Sequence, residues 1–201
     1  MAHYETIEQV GQPMRVCLSL PSGGGAHPAI IVMCHGAGLN AFGVDVCDRL
    51  AETGFVTAAP DVFHRQQSVT DSAVKRANMI DPERIGILGH YMGGRMSLPG
   101  ACADRSIQAC VNYYGGNYMF SWISDHPTPF ERIGDIHCPV LGLFENEDEN
   151  PSPDDVDRIS DEMTRSDISH EIHRYGDAGH AFQKFLSDTA PNPARTPGTR
   201  L

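Results

Sequence analysis

The stretch Arg84-Ile85-Gly86-Ile87-Leu88-Gly89-His90-Tyr91-Met92-Gly93-Gly94-Arg95 decides the fold. Ile85 to Leu88 is a short apolar run and the residues from Gly93 onward have helical spacing, so a strand meets a helix through a tight turn centred on Tyr91. Gly89 and Gly93 stand two residues to either side of that centre. This is the pattern of a nucleophile elbow: the central residue is strained and projects above a sheet, and its flanking positions must be small because neighbouring backbone passes close to them.

Working outward, the same rhythm recurs. Arg15 to Leu20, Ala29 to Cys34, Phe55 to Ala59, Ala109 to Tyr114 and Val140 to Phe144 are further short apolar runs, the signature of strands buried on both faces of a largely parallel sheet. Asn40 to Thr53, stopped by Gly54, then Gly93 to Ala103 and Pro153 to Ser166 have the length and spacing of crossover helices. The class is therefore α/β, a mostly parallel sheet flanked by helices. Ile168 to Tyr175 reads as one more strand with imperfect alternation, and Pro99 is expected to kink or shorten the helix it sits in. Residues 1–186 are expected to form a single domain. Pro191, Pro193, Pro197 and Gly198 exclude a regular helix from 187–201, read as a Pro-rich, loose tail.

A chain of 201 residues with 40% hydrophobic content can build one core, and 15 basic against 26 acidic residues leave a net charge of -11. That charge repels nucleic acid and anionic membrane, so the expected partner is a small molecule. The start, MAHYETIEQV, has no basic run followed by an apolar one, and no stretch of about 18 apolar residues occurs, so a cytoplasmic location without a signal peptide or membrane span is expected. The six cysteines stand singly rather than in the close pairs of zinc sites and read as mostly buried thiols. Oligomeric state is not legible.

Two later segments follow the order nucleophile, acid, base found in α/β-hydrolases: Asp148 comes after the strand Val140 to Phe144, and His180 after the strand ending at Tyr175. His180 would act as general base and acid, and Asp148 would hold its tautomer. Glu147 is the alternative acid, since Glu145-Asn146-Glu147-Asp148-Glu149-Asn150 allows a one-residue shift. Cys34-His35-Gly36-Ala37-Gly38 leaves a strand as a Gly-rich turn, so the Gly36 N–H and the Met92 N–H are candidate oxyanion donors. The acidic stretch also spaces Asn146, Asp148, Asn150 and Ser152 like the start of a calcium loop, but Pro151 stands where glycine is required. No metal site is assigned. His170 and His173, three apart on a strand, point to opposite faces, and His90 beside the turn is either packed or a backup base.

HGAGLN (His35 to Asn40), APDVFHR (Ala59 to Arg65), GHYMGGR, NYYGG (Asn112 to Gly116), VLGLF with its following acid, and DAGHAF (Asp177 to Phe182) together resemble the dienelactone hydrolase family over roughly residues 28 to 186. The resemblance implies an α/β-hydrolase fold without a large cap, no cofactor, and hydrolysis of lactones and small esters by a cysteine, or sometimes a serine, at the elbow. It also implies substrate contacts at His35, which replaces a family glutamate, and at Arg65, which would favour an anionic ester or lactone. Tyr91 departs from the pattern at the nucleophile position. A phenol is only about 0.1% ionised at pH 7, and its oxygen lies several bonds beyond where a thiol would sit. The chain is also short between Arg65 and Asp71 and carries the Pro-rich tail where a terminal helix is expected. Three readings stand at this point: a weakened ester or lactone hydrolase, a non-catalytic ligand-binding or interaction protein on the same scaffold, and an altered copy of an active enzyme.

Overall fold

The structure is a computed structural model that describes residues 2–34, 38–62, 80–176 and 182. It contains an eight-stranded sheet built from β1 (His3–Gln9), β2 (Gln12–Ser19), β3 (His27–Met33), β4 (Val56–Pro60), β5 (Ile80–His90), β6 (Ile107–Tyr113), β7 (Val140–Glu145) and β8 (His170–Tyr175). Among the described residues three α-helices accompany it: α1 (Ala41–Glu52), α2 (Met92–Ala103) and α3 (Pro153–Arg165). The strand order is β1-β2-β4-β3-β5-β6-β7-β8. Only β2 runs against its neighbours, pairing antiparallel with β1 and β4, while every pairing from β4 to β8 is parallel.

From β3 the chain goes through α1 to β4 on one side, and from β5 through α2 to β6 on the other, so the order reverses between β3 and β5. In an open α/β sheet the crevice outside the carboxyl ends at such a switch point is where ligands bind. Met33 pairs with Gly89 there, which places the start of the Gly-rich turn beside Tyr91.

Period-two alternation sends successive residues of each inner strand to opposite faces, and each face has its own core. On one face Ile87, Cys110 and Val140 pack with Leu98 and Ala101 of α2 and Ile159 and Met163 of α3. On the other, Val32, Leu88 and Leu143 pack with Val46, Cys47 and Leu50 of α1. Local chemistry sets the helix ends. Asn40 caps α1 by accepting from the Gly43 N–H at 3.1 Å, and Ser152 caps α3 by accepting from the Asp155 N–H at 3.2 Å, with Pro153 in the first turn.

Several strands start a few residues earlier than expected, β2 at Gln12 among them, and four differences matter for the architecture. β1 is an added edge strand. β5 begins at Ile80 rather than Ile85, with a register shift where Asp81 bonds the Glu83 N–H and Arg84. β8 begins at His170, because Ile168 is taken up in closing α3, its N–H donating to the Met163 carbonyl at 2.9 Å. Pro99 neither ends nor shortens α2, which runs unbroken to Ala103. The missing N–H costs one bond, but Leu98 and Ala101 are fully buried, and such packing carries most of a helix's stability in a folded protein. The segment after Arg65 and the tail 187–201 lie outside the described residues.

Candidate active site

Tyr91 has φ 54° and ψ -110°, a strained conformation for a residue with a side chain. It is held from both sides: its N–H donates to the Tyr113 carbonyl at 2.9 Å, and its own carbonyl accepts from the Arg95 N–H at 2.9 Å. The two flanking glycines are required by contact. A Cβ on Gly89 would lie 2.1 Å from the Gly93 carbonyl group, and one on Gly93 would lie 2.3 Å from the Met33 oxygen. α2 therefore sits directly on the end of β3. Its first N–H groups, Met92 included, have no intrahelical partner, which is what an oxyanion donor requires.

The Tyr91 side chain is half-buried and packs against the α1-side core, where Leu39 and Phe42 also lie. Around it is an aromatic wall. His90 is buried, stacked on Tyr113 with centroids 4.5 Å apart and met edge-on by Phe42 at 5.0 Å. Phe182, two residues beyond His180, lies 4.8 Å from Tyr175 and 5.2 Å from Tyr114. Burial pushes the Tyr113 phenol up to about 12 and raises that of Tyr114 as well, with the Glu145 carboxylate adding to the latter. His90 is thus packed among rings.

Asp148 is half-buried, whereas Glu147 is exposed. Its Oδ1 accepts from the Asn150 N–H at 3.0 Å. His170 bonds Ser160 on one face of β8 and His173 pairs with Glu171 on the other, as the strand period requires. His180, His35, Gly36 and Arg65 lie outside the described residues. Among the described residues no group of three or more His, Cys, Asp or Glu could hold a metal ion. Nor does a described thiol stand in at the elbow. Cys34, at the end of β3, is buried, and that burial raises its pKa, the opposite of what a nucleophilic cysteine needs. An apolar cleft of about 370 Å³ beside Ile30, Phe55 and Val111 lies at the opposite ends of the strands.

Sequence reasoning gave no role to the network that ties the elbow to the acid loop. The buried Asn112 amide donates to the Tyr118 hydroxyl at 2.5 Å, and its Oδ1 accepts from the Gly115 N–H at 3.1 Å. Tyr118 in turn donates to the Gly94 carbonyl at 3.1 Å. Asn150 Oδ1 accepts from the Asn117 N–H at 2.7 Å, which docks the loop carrying Asp148 onto the loop after β6. Arg95, only 3% exposed, clasps that loop from below, donating to the Phe120 carbonyl at 2.6 Å with its guanidinium 4.0 Å from the Trp122 ring centre. One signal was available: an asparagine inside an apolar strand must find hydrogen-bond partners when buried.

A sequence profile of the dienelactone hydrolase family matches residues 14–79 and 68–196, most of the chain. The chain belongs to the dienelactone hydrolase family. Among similar proteins of this kind, one from Methylorubrum extorquens AM1 that bears the provisional name carboxymethylenebutenolidase is 28% identical over 192 residues, covering 82% of this chain and 66% of that protein. The chain thus spans just under two thirds of that relative's length. One from a Bradyrhizobium species, provisionally named a 2-oxo-3-(5-oxofuran-2-ylidene)propanoate lactonase, is 27% identical over 207 residues, covering 89% of this chain and 82% of that protein. The crystal structure of a protein assigned as a dienelactone hydrolase from Klebsiella pneumoniae superposes with a TM-score of 0.81 at 25% identity, covering 90% of this chain and 88% of the other. The fold is accordingly that of dienelactone hydrolases, an α/β-hydrolase fold.

Proposed function

We propose that this dienelactone hydrolase family member is a slow hydrolase of small carboxylic esters or lactones, acting in the cytoplasm. The observation that carries the reading is the turn at Tyr91: a strained residue at the switch point, flanking glycines that leave no room for a Cβ, and the first turn of a helix beside it. Tyr91 occupies the nucleophile position, but a phenol there is a poor nucleophile at neutral pH. We assign the attack to a water activated by His180, oriented by Asp148, with the Gly36 and Met92 N–H groups receiving the oxyanion. Arg65 and His35 would contact the substrate, Arg65 favouring an anionic one. An oxyanion hole and binding alone leave roughly 10³ to 10⁴-fold acceleration when triad members are removed, so turnover of that order is the expectation.

A second reading, a ligand-binding protein without turnover, is favoured by one observation: Tyr91 packs against the apolar core as a wall of the pocket would. Hydrolysis of p-nitrophenyl acetate and of a small unsaturated lactone separates the two. Turnover that falls sharply in His180→Ala, toward what the oxyanion hole and binding alone leave, supports the hydrolase. Rates equal to buffer, together with binding of the lactone, support the second reading instead.

A further inference from the structure

Two thiols meet on the far side of the sheet from α2. Cys17 in β2 and Cys47 in α1 are both fully buried and belong to the same packed cluster beneath α1. The surface beneath α1 is made of small side chains, with Cys17 opposite Ala59 and Ser19 opposite Thr57 across β2 and β4. The helix therefore comes down onto the strands. The Thr57 hydroxyl reaches the Cys47 carbonyl at 3.1 Å, and the Ser19 hydroxyl donates to Asp48 at 2.8 Å. Direct approach of helix backbone to strand is what a disulfide needs, since its Cα atoms stand about 4.4–6.8 Å apart.

We propose that Cys17 and Cys47 are an oxidisable pair, converted by hydrogen peroxide into a disulfide that staples β2 to α1. The Cys17 sulfur attacks one peroxide oxygen, the O–O bond breaks, and Cys17 becomes a sulfenic acid with release of water. The Cys47 sulfur then attacks the Cys17 sulfur, an S–S bond forms, the S–O bond breaks, and the oxygen leaves as a second water with the Cys47 proton. Two thiols are oxidised and one peroxide is reduced. The neighbouring Cys47 thiol holds the pKa of Cys17 below the usual thiol value, while that of Cys47 is raised, which favours Cys17 as the sulfur that attacks first. The other described thiols differ. Burial raises Cys34, Cys102, Cys110 and Cys138, and Cys102 donates to the Arg132 carbonyl at 3.2 Å. Full burial makes the reaction slow, dependent on openings of the α1 edge.

The test is a peptide map of the native chain after incubation with hydrogen peroxide, alkylated in denaturant without reduction. The expected result is a Cys17–Cys47 linked peptide, four of the six cysteines still alkylated, reversal by dithiothreitol, and a melting temperature raised by several degrees. In Cys47→Ser, which keeps a small polar group on the helix, the disulfide should be absent. Six alkylated cysteines in the treated protein, a linkage between other cysteines, or a disulfide that persists in Cys47→Ser would each overturn the proposal. The outcome does not depend on whether the chain hydrolyses esters.

Discussion

Replacing Gly93 by alanine would put a methyl carbon 2.3 Å from the Met33 oxygen and 2.8 Å from that of Cys34. Both are backbone atoms at the end of β3, so no side chain can swing aside. Restoring ordinary contact at 3.4 Å means moving the start of α2 off the sheet by about 1.1 Å. That movement strains the bonds that hold the turn, the Tyr91 N–H to Tyr113 and the Arg95 N–H to Tyr91. Overpacking a well-packed site costs about 1–3 kcal/mol, and a clash against fixed backbone belongs at the upper end. In a chain of this length about 3 kcal/mol lowers the melting temperature by about 6–12 °C. Gly24→Ala is the matched control, because a Cβ there meets nothing within 4 Å, and it should change the melting temperature by little. The assay is thermal unfolding followed by far-ultraviolet circular dichroism. Two variants that melt alike, within about 1 °C of the parent, would refute the argument that contact dictates the motif.

Arg95→Met should free the loop after β6, because its guanidinium holds the Phe120 carbonyl and covers the only tryptophan of the chain, Trp122, which is already 53% exposed. Acrylamide quenching of Trp122 fluorescence should rise, with Arg95→Lys intermediate, and unchanged quenching would speak against the clasp. At alkaline pH the fold should fail cooperatively. Tyr113, at about 12, and Tyr114 and Tyr118 are all raised by burial, so between about pH 10 and 12 the unfolded chain gives up these protons while the folded one retains them. Stability is therefore full below about pH 10 and falls as pH rises. Tyrosinate absorbance of these three should appear together with loss of circular dichroism, and their ionisation in an intact fold would contradict the assignment.

The elbow was legible because its demand is local: two glycines at fixed offsets are needed wherever a helix is laid on the end of a neighbouring strand. The strands β3 to β7 were legible because burial on both faces leaves continuous apolar runs. β1 was not, because His3–Gln9 is a half-exposed edge in which only Glu5 is buried, and its pairing with β2 is made by backbone rather than by an apolar pattern. Pro99 misled because propensity is local while the burial of Leu98 and Ala101 is tertiary. At the site, the sequence favoured Asp148 by its place after β7 but left Glu147 as the alternative, since both are acids in one polar loop. The Asn150 to Asn117 contact that docks the loop joins residues 33 apart, and the difference in burial between Asp148 and Glu147 exists only in the folded loop. The Arg95 clasp was hidden for the same reason, as its partners belong to a loop 25 residues further on.

The claim at the centre of this account is that a working hydrolase scaffold carries the wrong side chain at one strained position. The most direct measurement is the rate of p-nitrophenyl acetate hydrolysis by Tyr91→Cys beside the parent, with circular dichroism showing that both are folded. Cysteine restores a nucleophile that is a few per cent thiolate at neutral pH and places its sulfur at the mouth of the oxyanion site, so the variant should be faster by at least about 10²-fold. A folded Tyr91→Cys that hydrolyses the ester no faster than the parent would contradict the account.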